Sequence, residues 1–406
     1  MRKPLVTAAL LLPLLALPTG CTWQTHDEVK EDAAQSYFRV RSALMIELAE
    51  GHFNAGQLDE AERVVSDAAQ IDPSSPGLYL LAGRIALERG QLERSTHYFD
   101  MAAALDEKDP EPHYYTGVVL QRWKQPEAAL AAYAQAHERR KDDPGYVLAM
   151  SEMLVASARP DDAIALLESK AVYFDQNAGL RAALGHLYTM QHQASNAVRA
   201  FEEAALLDPD NPTHVEELAQ AYLANGQDQK AADTLEMLLE DVDETARIDL
   251  RRTLVAAYAR IGRIDAAKQV LLRLARAGVA ESNDWVQLGR FALKTKDADN
   301  ALFAANRVIR LDPERPDGYM IAGLAWKQRN VDHNALTMFD RAAQADLDNP
   351  TPLVLRGIIL QKAGKTAAAR DAYQKAAARA PQDPRAQKLL AALDVDRPRV
   401  ADVPTD

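Results

Sequence analysis

Ala200–Leu235 reads AFEEAALLDPDNPTHVEELAQAYLANGQDQKAADTL. Apolar residues at helical spacing are interrupted twice, by Asp-Pro-Asp-Asn-Pro and by Asn-Gly. Asp208-Pro209 stops a helix because the residue before a proline is driven away from helical dihedrals. Pro212 suits the first turn of the next helix, where its missing amide would be unpaired anyway. Gly226 ends that helix, since a glycine takes the left-handed turn conformation without a Cβ clash. The stretch is therefore a helix, a turn and a helix, a unit too small to bury its own apolar face and stable only when stacked on copies of itself.

The copies are present. Alanine recurs at Ala61, Ala129, Ala163, Ala197 and Ala231, then at Ala267, Ala301, Ala335 and Ala369, with Ser95 filling the one gap. The step is 34 residues throughout except between Ala231 and Ala267, where it is 36. With this alanine as position 20, repeats begin at Ser42, Pro76, Pro110, Pro144, Ala178, Pro212, Ile248, Ser282, Pro316 and Pro350. Position 8 is small everywhere except Val255, so the two helices of a repeat can approach closely. Position 24 is bulky at Phe99, Tyr133, Phe201, Leu235, Leu271, Phe339 and Tyr373, and these side chains are expected to fill the space between one helix pair and the next. Gly56, Gly90, Gly226, Gly262 and Gly364 share position 15, the turn.

Tyr222–Leu235 and Ala200–Pro212 resemble the helix-turn-helix and closing turn of the tetratricopeptide repeat (TPR) family, over residues 42–383. The resemblance implies an all-α, right-handed superhelical solenoid of about ten repeats with a C-terminal capping helix, forming one elongated domain. Boundaries follow: a signal segment at 1–20, a cysteine, polar tether and leading helix at 21–41, the repeats at 42–383, a cap at 384–395 and a disordered tail at 396–406. Within 21–41, Thr22–Gln35 is read as tether and the apolar helical pattern starts at Ser36. Three departures are expected to matter. Lys170 and Asp175 replace an alanine and a proline in the fourth repeat, Val255 crowds the seventh, and two additional residues near Asp243–Ile248 loosen the junction between repeats six and seven and bend it.

The N-terminus resembles a bacterial lipoprotein signal: Arg2 and Lys3, an apolar run from Leu5 to Leu17, then Pro18-Thr19-Gly20-Cys21. Pro18 stands where the family pattern prefers an aliphatic residue. The resemblance implies lipidation of Cys21 and, with Thr22 following it, the periplasmic face of an outer membrane; an unlipidated chain would be periplasmic. Cys21 is the only cysteine, so no internal disulfide forms.

The chemistry of an enzyme is not legible. Nine scattered histidines show no metal-protease spacing, and His52 at repeat position 11 stands in for an aromatic and suits packing. Ala363-Gly364-Lys365-Thr366 resembles the end of a phosphate loop, but Ile359 occupies the required glycine position and the segment is a turn between repeat helices. No catalytic residue, cofactor or metal is expected. A net charge of −12 without a basic stripe points away from nucleic acid.

The TPR resemblance places the inner wall at first-helix positions 2, 5, 6, 9, 12 and 13. Repeats one to six contribute Glu47, Glu50, Glu88, Glu111, Glu152, Glu216 and Glu217 against Arg84 and Arg122. Repeats seven to ten contribute Arg252, Arg260, Arg290, Lys294, Lys327 and Lys362 against Asp249 and Asp317. The wall is expected to change sign and so orient a protein or extended peptide partner. Tyr114 and Tyr115, near Arg122 and Trp123, suit a binding hot spot and equally suit packing between repeats. Some TPR proteins clamp acidic chaperone tails with lysine and asparagine; Ile46 and Glu50 stand at those positions of the first repeat, so that activity does not transfer. The resulting expectation is a non-enzymatic, membrane-anchored scaffold for an outer-membrane, secretion, pilus or polysaccharide-export assembly, with homo-oligomerisation open. The alternatives are a soluble periplasmic holding chaperone for many clients, or a regulatory subunit of an envelope enzyme.

Overall fold

A computed structural model describes residues 26–395. The signal-like segment, Cys21 and the tail at 396–406 lie outside the described residues. Among the described residues there are 21 α-helices and no strand. They fall into two compact units, residues 1–170 and 171–406.

Unit 1 contains α1 (His26–Asn54), α2 (Leu58–Ile71), α3 (Pro76–Glu88), α4 (Leu92–Leu105), α5 (Glu111–Arg122), α6 (Pro126–Arg139), α7 (Pro144–Ala156) and α8 (Pro160–Ala171), which ends at the boundary. Unit 2 contains α9 (Ala178–Met190), α10 (Ala194–Leu207), α11 (Pro212–Ala224), α12 (Asp228–Leu238), α13 (Ile248–Arg260), α14 (Ile264–Arg276) and α15 (Ser282–Lys294). It continues through α16 (Ala298–Leu311), α17 (Pro316–Gln328), α18 (Asp332–Ala345), α19 (Thr351–Lys362), α20 (Thr366–Arg379) and α21 (Pro384–Val395). α1 begins at His26, well ahead of Ser36, so part of the segment read as tether is helical.

The helix ends follow from local chemistry. Asp143, Asn177 and Asn211 each accept a backbone N–H of the first turn, satisfying a donor that would otherwise lack a partner. Position 15 is left-handed in every repeat. Glycine supplies it at Gly56, Gly90, Gly226, Gly262 and Gly364, but Lys124, Ala158, His192, Lys296 and Asn330 adopt the same conformation with φ of 57–59°. The pairing of two close helices imposes that turn whether or not the residue prefers it.

The small residue at position 8 and the bulky one at position 24 meet within a single repeat, which corrects the expectation that position 24 fills the space between repeats. A Cβ at Gly185 would lie 2.7 Å from the Phe201 ring, and one at Gly323 would lie 2.5 Å from that of Phe339. In most repeats size is traded across the pair. Glycine faces an aromatic ring in repeats two, three, five, nine and ten, whereas Ala219 pairs with Leu235 and Ser151 with Leu167. Val255 is accommodated rather than crowded because Leu271 replaces the ring, and both are 1 % exposed. In repeat eight position 24 is only Ala305, and Ile321 from the next repeat packs on Gly289 instead.

The longer junction is pinned, not loosened. Arg251 is 2 % exposed and donates to the carbonyls of Val242 at 2.6 Å and Asp243 at 3.0 Å, while pairing with Glu244 at 3.1 Å. A buried guanidinium with its donors filled holds the added residues in one conformation. Lys170, the departure in repeat four, lies 2.9 Å from His137 Nε2, so it donates to a neutral imidazole.

Candidate functional site

The wall residues divide into two groups once side chains are placed. Most are joined to a neighbouring repeat. Arg122 donates to the Leu87 carbonyl at 2.7 Å, and Arg260 reaches the Leu223 carbonyl at 3.3 Å and Asp228 at 3.2 Å. Gln328 does the same to Leu293 at 2.8 Å. In these three repeats the position 13 side chain thus adds a second donor to a carbonyl, already bonded by the turn, at the end of the preceding repeat's first helix. Arg252 grips Asp284, which is 3 % exposed, at 2.9 Å and also pairs with Glu281 at 2.9 Å. Hydrogen bonds to Asp284 hold that guanidinium above its ordinary pKa. Arg290 pairs with Asp317 at 2.7 Å. Among the acids, Glu216 is bound by Arg247 and Glu217 lies 2.9 Å from His186 Nε2.

Tyr114 and Tyr115 are half-buried in a ring cluster of unit 1. Tyr115 stacks on Phe99 at 5.4 Å, while Tyr114 contacts Tyr133 at 5.5 Å and Tyr146 at 5.6 Å. Arg84 lies over both Phe53 and Tyr115. Burial raises the pKa of both phenols. These are the contacts of packing between repeats.

What is left is smaller and better defined. Among the described residues the side chains of Glu47 and Glu152 in unit 1 make no hydrogen bond or ion pair, and in unit 2 the same holds for those of Asp249, Lys294, Lys327 and Lys362. The three lysines recur once per repeat at the C-terminal end of α15, α17 and α19. Lys296 and Lys365, exposed in the adjoining turns, extend the same edge. Three acids of the adjoining helices are already engaged, Asp297 by Lys268, Asp299 by Arg329 and Asp317 by Arg290, whereas Asp332 at the start of α18 is exposed and unpaired. Long ammonium side chains about one repeat apart, exposed at Lys294 and Lys362 and half-buried at Lys327, suit an anionic partner laid across the repeats, and the ends of helix dipoles beneath them favour cations there in any case.

No group of three or more His, Cys, Asp or Glu residues placed to hold a metal ion occurs among the described residues, and no described helix is long and apolar enough to cross a membrane. Gly364 and Lys365 form the α19–α20 turn, with Gly364 left-handed at φ 72° and Ile359 buried.

Tetratricopeptide repeat models match residues 52–115, 188–250, 285–315, 319–384 and 354–402, together more than half of the chain. The chain belongs to the tetratricopeptide repeat family. Its fold is that of a TPR protein-interaction scaffold. Cellulose synthase operon protein C of Pseudomonas fluorescens (strain SBW25) is 22 % identical over 376 residues, covering 87 % of this chain. The match spans 26 % of that relative's length. Among solved structures, the C-terminal part of a TPR repeat-containing protein from Cytophaga hutchinsonii is 14 % identical over 59 % of this chain and 98 % of that one, with a TM-score of 0.49. MamA of Desulfovibrio magneticus RS-1 is 21 % identical over 41 % of this chain and 93 % of that one, with a TM-score of 0.36.

Proposed function

We propose that this TPR protein is a non-enzymatic scaffold of the bacterial envelope, anchored through a lipidated Cys21 on the periplasmic face of the outer membrane. In this reading it holds an acidic, extended segment of a partner protein along repeats eight to ten. The observation that carries the binding mode is the unpaired series Lys294, Lys327 and Lys362, set among arginines that are already joined to neighbouring repeats. The envelope placement is supported by the lipoprotein-like N-terminus. A polysaccharide-related assembly is supported by the similarity to a cellulose synthase operon protein, whose additional length this chain does not share in the match.

The architecture supports binding. The repeats fix each lysine at the end of a rigid helix, so an extended acidic chain meets successive charges without reordering the scaffold. A fluorescent polyglutamate peptide titrated into the purified chain tests this. Binding that weakens with added salt and is lost on combined Lys294→Glu, Lys327→Glu and Lys362→Glu supports the reading. Binding unaffected by the triple substitution removes it.

A further inference from the structure

The first repeat differs from those behind it in one respect. Its position 3 and position 7 residues, Leu44 and Leu48, are 62 % and 55 % exposed. Later in unit 1 the equivalents Leu78, Ala82 and Tyr146 are buried, at 1 %, 9 % and 3 %, and Thr116 and Met150 are partly buried. In unit 2 the equivalents Leu250, Leu254 and Leu288 are exposed by 3 % or less. Stacking covers these positions elsewhere, and the first repeat presents the same stacking face with nothing described on it. Repeat arrays ordinarily end in a polar cap, and at this end the face is apolar.

The face also continues past the repeat. α1 extends from Leu44 back to His26, and Val29, Ala33, Tyr37, Val40, Leu44 and Leu48 succeed one another at steps of 4, 4, 3, 4 and 4 residues. At about 100° per residue these side chains fall within an arc of roughly 100°, the width of a helix face made to be buried. Val29, Tyr37 and Val40 are 50 %, 61 % and 62 % exposed. The stripe is therefore one continuous apolar surface running along most of α1.

Its borders carry opposite charge. On the same helical projection Lys30 and Arg41 flank one edge, and Glu47 flanks the other, with Asp32, already partnered, and then Arg39 farther out on that side. Charges beside a helix–helix seam decide which partner pairs and in which direction. Two identical helices related by a two-fold axis parallel to them set the basic edge of each against the acidic edge of the other. An antiparallel arrangement would instead oppose basic to basic and acidic to acidic. A phospholipid surface favours a helix whose polar face is rich in lysine and arginine, and α1 mixes both signs.

We propose that this stripe is a self-association surface, on which α1 of a second copy of the chain pairs in parallel. The site is separate from the lysine series of repeats eight to ten and independent of any partner bound there. A two-fold pairing uses the same patch on both copies and closes on itself, so the assembly stops at a dimer.

Sedimentation of the full chain over a wide concentration range tests the proposal. The expected species is twice the 44.7 kDa chain mass. Combined Val40→Glu and Leu44→Glu alters only exposed positions, so helical content stays unchanged while self-association weakens by at least about 100-fold. Phe38→Ala, equally apolar and 45 % exposed but off the stripe, leaves the dimer intact. In a Cys21→Ser background, Ala33→Cys crosslinks to its counterpart under mild oxidant if the pairing is parallel; its failure to do so in a dimeric chain overturns that geometry. A monomer at all concentrations overturns the proposal. So does a monomer whose binding to anionic phospholipid vesicles is abolished by Val40→Glu and Leu44→Glu.

Discussion

Gly185→Ala is expected to destabilise α9 and α10, although alanine is the better helix former. In an open helix the change would stabilise by about 0.5–1 kcal/mol. Here the new Cβ would lie 2.7 Å from two ring carbons of Phe201, a residue only 3 % exposed, with His186 packed edge-on against the same ring at 5.2 Å. The ring has no free volume to enter, and such overpacking costs about 1–3 kcal/mol. The net loss is therefore roughly 1–2 kcal/mol. Phe201→Leu alone leaves a void over the glycine and costs a similar amount, about 1–2 kcal/mol. Together the two changes recreate the Ala219–Leu235 pairing of the next repeat, so the double variant should be more stable than the sum of the two losses by at least about 1 kcal/mol. Because an array opens locally, native-state hydrogen exchange at the α9 and α10 amides is the appropriate assay. Additive losses, or a stabilising Gly185→Ala, would refute the claim that positions 8 and 24 trade size across the pair.

Ala158→Gly and Lys296→Gly relieve left-handed strain at the α7–α8 and α15–α16 turns, and each should stabilise its repeat by about 1 kcal/mol by exchange. Asp284→Asn weakens the grip on the half-exposed Arg252 and on the Glu281 backbone N–H; a loss of about 2 kcal/mol at the α13–α15 contact is expected in urea unfolding. Burial first, then the charges of Lys170 and Lys141, holds His137 below the ordinary histidine pKa. The unfolded chain therefore protonates first, so this stabilisation is complete above pH of about 6.5 and declines as pH falls below it. His137→Gln should flatten that part of the unit 1 pH profile, read from thermal unfolding between neutral and mildly acidic pH.

The repeat frame was legible because proline, glycine and alanine act at fixed offsets through local geometry. Pro76, Pro144, Pro212 and Pro316 open helices where the spacing placed them. The turns at Ala158 and His192 were not legible, because their left-handed backbone is imposed by two packed helices and not by the residue. The TPR resemblance also gave the face on which Arg122, Arg252 and Arg260 lie, but not their reach. Whether an arginine projects outward or spans to a carbonyl or carboxylate of the adjacent repeat depends on rotamers and on what that repeat presents. The sign change expected along the wall is consequently narrowed, in unit 2, to lysines left unpaired at the ends of α15, α17 and α19, against the one unpaired wall acid, Asp249. The stripe on α1 was visible only from Ser36 onward, since the polar residues ahead of it hid Val29 and Ala33.

The most direct test of a partner-holding envelope scaffold is crosslinking affinity capture from membranes, comparing the native chain, Cys21→Ala, and combined Lys294→Glu, Lys327→Glu and Lys362→Glu. The account predicts a few stoichiometric envelope proteins, lost both when the anchor is removed and when the lysines are reversed. A diffuse set of clients that survives both changes would contradict it and favour a soluble holding chaperone.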